Sequence, residues 1–257
     1  MAEQHRRYKK DPLTEAVIDL RVELPEGTHV EDLRGLHARL SDTYGAPQEM
    51  YENVATIEFR PGGSAPLART AHARRGFRFD RADARRVMQA RLDGFSYSAI
   101  APYEEWETFR GEAKNLWELY RNAYHPIHVT RVAVRYINRI DIPLHAANSN
   151  GALQLKDYFS TYPQVADGLA HNTMAGFIMQ IHVPQPDIDS TLLVNQAVVP
   201  PPHPGVFSVV LDLDLFREVQ WDPTDDETVW GFLDILRVRK NDAFEASITD
   251  NTRELFN

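Results

Sequence analysis

Residues 129–142 read VTRVAVRYINRIDI, and their alternation decides the fold. Val132, Val134, Tyr136, Ile140 and Ile142 fall on one side of an extended chain, with Asn138 as the polar interruption among them. Arg131, Arg135 and Arg139 fall on the other side, with Asp141 at the end. A period of two marks a strand with one buried face. Residues four apart on a strand stand about 13–14 Å from each other, so the three arginines form a cationic stripe and not a single clamp.

Upstream, Trp106, Phe109, Ala113, Leu116, Trp117, Tyr120 and Tyr124 recur at helical spacing, which predicts a helix over 104–124 that Pro126 ends. Residues 15–24, EAVIDLRVEL, alternate like 129–142. A helix opening at Thr28 and strands at 54–59, 76–80 and 86–100 lie between, the last as one strand with a bulge at Gly94 where the alternation changes phase. Downstream, 143–173 is polar with a short helical piece near LKDYFSTY. Strands at 175–183, 191–199 and 205–216 follow, then one long helix from Asp225 to the end, or two with a kink near Asn241. Runs of strands closed by a helix argue for α+β architecture. The expected fold is therefore antiparallel sheets each packed on a long helix, helix-grip-like, in two tandem strands-then-helix halves. The halves are 1–145 and 174–257, joined by a linker at 146–173 and packed as one unit.

The chain has 257 residues, 43% hydrophobic and 25% charged, as in ordinary globular proteins. No apolar run is long enough for a membrane span, and the basic N-terminus lacks the apolar stretch of a signal peptide, which reads as cytoplasmic. Without cysteine, disulfides, thiolate metal sites and cysteine nucleophiles are excluded. A net charge of −9 argues against nonspecific nucleic-acid binding. Yet nine arginines lie between Arg60 and Arg91 against Asp80 and Asp83. Arginine grips carboxylate or phosphate through two parallel hydrogen bonds. Arg74, Arg75 and Arg78 are accordingly candidates for partner or anion binding, together with Arg131, Arg135 and Arg139. Pairing with carboxylates of the same fold is the competing account.

Phosphate-loop, dinucleotide, zinc-protease and nucleophile-elbow motifs are all missing, so no cofactor and no catalytic residue is assigned. Asp212 and Asp214 project from one face of a strand and are weak metal candidates, with Glu218 as a third ligand. Arg–Asp pairing across the sheet is the favoured alternative. His125 and His128 flank Pro126, which works against a chelating helix face. Glu15, Tyr136, Asn138, Trp117 and Tyr120 are candidates for a polar-lined pocket between sheet and helix, joined by Arg135. The alternation sets Tyr136 and Asn138 inward and Arg135 outward, so they do not share one cavity.

Three segments, in this order, resemble an uncharacterised, sporadically distributed bacterial protein family of about 250 residues. Pro12, Leu13, Glu15 and Ala16 match its first motif, with Asp11 where a second proline is common. Arg135, Tyr136, Asn138 and Arg139 match the central motif, and Phe244, Glu245, Ile248 and Thr249 the last. The resemblance implies a bacterial cytoplasmic protein of no assigned reaction, and a scattered distribution suits defence or toxin–antitoxin accessories.

The leading expectation is a non-enzymatic binding protein acting through protein–protein contacts, as a regulatory, immunity-like or accessory subunit. Its exposed edge strands would allow a homodimer. The alternative is a pocket for a small anionic ligand or nucleotide. The third is nucleic-acid binding through the Arg60–Arg91 segment, with Phe77 and Phe79 stacking on bases.

Overall fold

Alternating burial along β1 (Leu13–Glu23) and β6 (His128–Pro143) sets the two strands side by side, antiparallel, at the centre of one sheet. The computed structural model describes residues 8–40, 43–58, 67–83, 85–103, 105–144, 153–166, 168–170 and 174–257, with backbone alone for 53–58 and 67–72. The remaining strands are β2 (Gln48–Glu58), β3 (Leu67–Asp80), β4 (Arg86–Arg91), β5 (Gly94–Ile100), β7 (Ile178–Gln185), β8 (Ser190–Val199) and β9 (Val206–Trp221). They form a nine-stranded antiparallel sheet in the order β2-β3-β4-β5-β1-β6-β9-β8-β7. The architecture is α+β. The sheet is single where separate sheets were expected, because β1 and β6 pair with each other as well as with β5 and β9.

One face of the sheet is apolar. Ala16, Ile18, Leu20, Phe95, Tyr97, Val132, Val134, Leu213 and Leu215 are buried there beneath two long helices. The first, α2 (Trp106–Tyr124), stacks Phe109 on Tyr97 with centroids 5.4 Å apart and sets Trp117 edge-on to Phe95 at 5.9 Å. The second, α3 (Asp226–Ser247), packs on β6 and β9. It lies beside α2, tied by Trp106 Nε1 donating to Asp234 (2.7 Å) and by Arg121 and Lys114 to Asp226 (2.9 and 3.2 Å). A 3-10 turn (Val30–Leu36) running into α1 (His37–Leu40) buries Leu33, Leu36 and Leu40 on the same side. Among the described residues, no helix is long and apolar enough to cross a membrane.

Several boundaries differ from the sequence expectation. The stretch 86–100 is a hairpin, and the phase change at Gly94 is a tight turn at Leu92–Asp93 where a bulge was expected. The strand expected at 76–80 begins earlier, as β3 from Leu67, while 59–66 lie outside the described residues. The C-terminal helix breaks after Ser247, not near Asn241, and a short α4 (Asp250–Leu255) follows. Part of the expected linker lies outside the described residues. Within it, Phe159 is fully buried and bridges Ile248, and Tyr158 O accepts from Thr249 N and Thr252 Oγ1.

Candidate functional site

The other face of the sheet carries neither long helix. Along β1, β6 and β9 the residues opposite the core are Glu15, Val17, Asp19 and Arg21; Arg131, Arg135 and Ile137; and Asp212 and Asp214. They line a cavity of about 540 Å³ together with Met50, Glu52, Arg75, Gln89, Arg91, Asp93 and Ser98, Asp212 standing just outside it. In a flat sheet β2 and β9 would stand six strand spacings apart, about 29 Å. Met50 and Asp214 nonetheless border one cavity, so the sheet curls around this face and makes a trough of it.

Ion pairs cross the trough strand by strand. Arg75 on β3 joins Glu52 on β2 (3.0 Å) to Asp93 in the β4–β5 turn. Arg91 on β4 joins Asp93 (3.0 Å) to Asp19 on β1 (2.6 Å). Arg131 on β6 joins Asp19 (3.0 Å) to Asp214 on β9 (2.7 Å), its guanidinium 4.3 Å from the centre of the Phe216 ring. Four residues along β6, Arg135 donates both Nε and Nη2 to Asp212 (2.8 and 2.7 Å). Asn195 on β8 braces that carboxylate (3.2 Å), and Gln180 on β7 donates to Asn195 (2.8 Å). Asp212 is only 8% exposed, while Arg135 is 45% exposed above it. Its hydrogen bonds to Asp212 hold the Arg135 guanidinium above the usual range, and the charges of Asp214 and Glu15 add to this. Burial pushes the Asp214 carboxyl up against the pull of Arg131 and Arg135.

Not every polar group is engaged. Glu15 makes no hydrogen bond or ion pair among the described residues, and buried Asp214 Oδ1 has no partner. Arg135 keeps Nη1 uncommitted, and Arg21, 52% exposed, approaches Asp19 only to 3.8 Å.

The structure divides the residues expected to act together. Glu15 and Arg135 share the trough, but Tyr136 and Asn138 point through the sheet to the helix side. Trp117 and Tyr120 are fully buried core, stacked on each other, so they line no pocket. Of Arg74, Arg75 and Arg78, Arg75 alone lines the trough; Arg74 pairs with Glu31 and Glu49, and Arg78 with Asp80. Arg139 turns to Asp141 (3.0 Å) and Pro200 O (2.9 Å). Phe77 and Phe79 are buried against the core and cannot stack on bases. Arg60 lies outside the described residues. Asp212 and Asp214 hold arginines, as the favoured alternative had it, and no group of three metal-ligating side chains occurs among the described residues. His125 caps α2 with a left-handed backbone and borders a second cavity of about 420 Å³ with His128, Arg121 and Asp222.

Sequence reasoning missed Asp19, Arg91 and Asp93, which lie in separate elements, and Lys240 on the helix side. Lys240 is 5% exposed, its Nζ 3.4 Å from the centre of the Tyr136 ring, and the Tyr136 and Tyr103 hydroxyls meet at 3.0 Å. Its position in phase with Leu233, Leu236, Ala243 and Ser247 was the available signal.

The three segments of the sequence resemblance converge in space. Leu13 is paired with Asn138, Arg139 N donates to Pro12 O (2.8 Å), and Tyr8, just upstream, reaches Glu245 (2.7 Å). No protein-family model matches the chain, and a comparison with curated proteins gives no match.

Proposed function

We propose that the chain is a non-enzymatic bacterial binding protein of the cytoplasm, a regulatory, immunity-like or accessory subunit that engages another protein with the open face of its sheet. The observation that carries this is the trough: a curled, helix-free surface on which buried carboxylates hold guanidinium groups in place and leave some of them partly exposed. A braced guanidinium loses little freedom when a partner arrives, which favours binding. The spatial convergence of the three resembling segments is in keeping with that resemblance, and two of their residues, Glu15 and Arg135, line the trough. Defence and toxin–antitoxin modules are the settings such an accessory suits.

The element order supports tandem halves. A strand, a helical turn, a meander and a long helix occur twice, and in each half the first strand pairs with the last strand of its own meander. In this reading the second half opens with β6, ahead of the boundary expected at residue 145, and β1 and β6 are equivalent strands meeting at a two-fold axis.

The second reading, a small anionic ligand or nucleotide, draws on the free Nη1 of Arg135 and a cavity of ligand size. It now belongs to the open face and not between sheet and helix. Affinity isolation from the native bacterium separates the two. A stoichiometric protein lost on Arg75→Glu and Arg135→Glu substitution supports the first; a retained small molecule with no protein overturns it in favour of the second.

A further inference from the structure

The charges of the trough are sorted along the strands. Toward the Arg21 end stand Arg21, Arg75, Arg91 and Arg131 against Asp19, Glu52 and Asp93. Toward the Glu15 end Arg135 is the one lining arginine, with Glu15 and Asp214 in the lining, Asp214 shared with Arg131, and Asp212 paired to Arg135 from just outside it. The least committed groups follow the same order. Arg21 is the most exposed of the ion-paired arginines, and Glu15 has no ion pair among the described residues. Both lie on β1, six residues apart on the same face, a separation of about 20 Å.

From this polarity we infer the chemistry of the partner: an extended peptide segment with a lysine or arginine that meets Glu15 and, about six residues away, an aspartate or glutamate that meets Arg21. The inference rests on the proposed protein-binding role and adds a charge order to it. A uniformly anionic ligand matches this surface poorly, because it would place negative charge against Glu15. A peptide of mixed charge satisfies both ends. Val17 and Ile137, between Glu15 and Arg135, give its apolar side chains a floor.

The test is selection of a random peptide library on the immobilised full chain, the wild type beside Glu15→Lys/Arg21→Glu. Neither side chain is buried, and circular dichroism reports whether the fold is kept. The expected outcome is enriched peptides with a basic and an acidic residue five to seven positions apart, as the six-residue spacing on β1 requires, in an order that reverses on the charge-swapped variant. Wild-type peptides should lose at least about tenfold in affinity on that variant, a typical effect of placing like charges together. Peptides enriched equally on both proteins overturn the charge order and leave the protein-binding role standing. No enriched peptide, with ATP raising the melting temperature of the wild type but not of Arg135→Glu, overturns both.

Discussion

Lys240 reaches the core without a carboxylate to receive it, and burial drives its ammonium far below the usual lysine range. The ring of Tyr136 gives a face to the amine, which offsets part of the lost hydration. The charge of Arg237 also opposes protonation, and that of Asp11 favours it. The unfolded chain therefore holds a proton that the native state releases, and stability rises with pH from the native value of Lys240 toward about 10.4. Above about pH 10 the buried tyrosines reverse the trend, because Tyr97, Tyr120 and Tyr136 ionise more readily once unfolded. Lys240→Met should stabilise the protein by about 1–3 kcal/mol at pH 7 and flatten the rise between pH 7 and 9.5 in urea titrations. An unchanged slope would mean that Lys240 keeps its proton in the fold. Arg131→Met should cost about 3–5 kcal/mol, because two buried carboxylates lose a shared cation. That deficit should shrink as pH falls toward 5, since Asp214 binds a proton more readily folded than unfolded.

At the scale of elements, the strands that alternate cleanly and the helix α2 were legible, since a period of two or 3.6 survives any tertiary arrangement. The β4–β5 hairpin was not. A two-residue connection shifts the alternation just as a bulge does, and Asp93–Gly94 was the one clue to a turn. Gly94 has φ +154° and a Cβ there would stand 2.3 Å from Leu20 O, so the glycine lets β5 close on β1. Gly94→Ala should cost about 2 kcal/mol or more and weaken β1–β5 pairing. Gly231, in α3 with open space around it, should respond oppositely, Gly231→Ala adding about 0.5–1 kcal/mol of helix stability. Thermal unfolding of both variants checks the pair, and a loss at each would argue against the packing of α3.

At the scale of the molecule, the trough was illegible because it arises from curvature. Nothing in the spacing of Met50, Arg135 and Asp214 along the chain announces that a curled sheet brings them to one cavity. The cross-strand pairing of Arg135 with Asp212 could be anticipated from alternation; the chain of arginines and carboxylates through Asp19 and Asp93 depends on strand order, which alternation does not encode. Since β1–β6 pairing runs the length of β1, the strands on either side of that seam cannot part without exposing an edge on each. Calorimetry should therefore give one transition with equal calorimetric and van't Hoff enthalpies; two resolved transitions would show that the sheet comes apart at a seam.

The strand order also shapes how the chain assembles on the ribosome. Synthesis runs from β1 outward, yet β1 finds its first neighbour only when β5 emerges and its second only with β6. Strand β6 in turn waits for β9, which is made only after β7 and β8. The nascent protein thus carries an open edge at the future centre of the sheet until those later strands emerge, and such distant pairings form slowly. Molecular chaperones that shield bare strand edges would find their natural target at β1 and then at β6, the two strands that end up the least accessible of all.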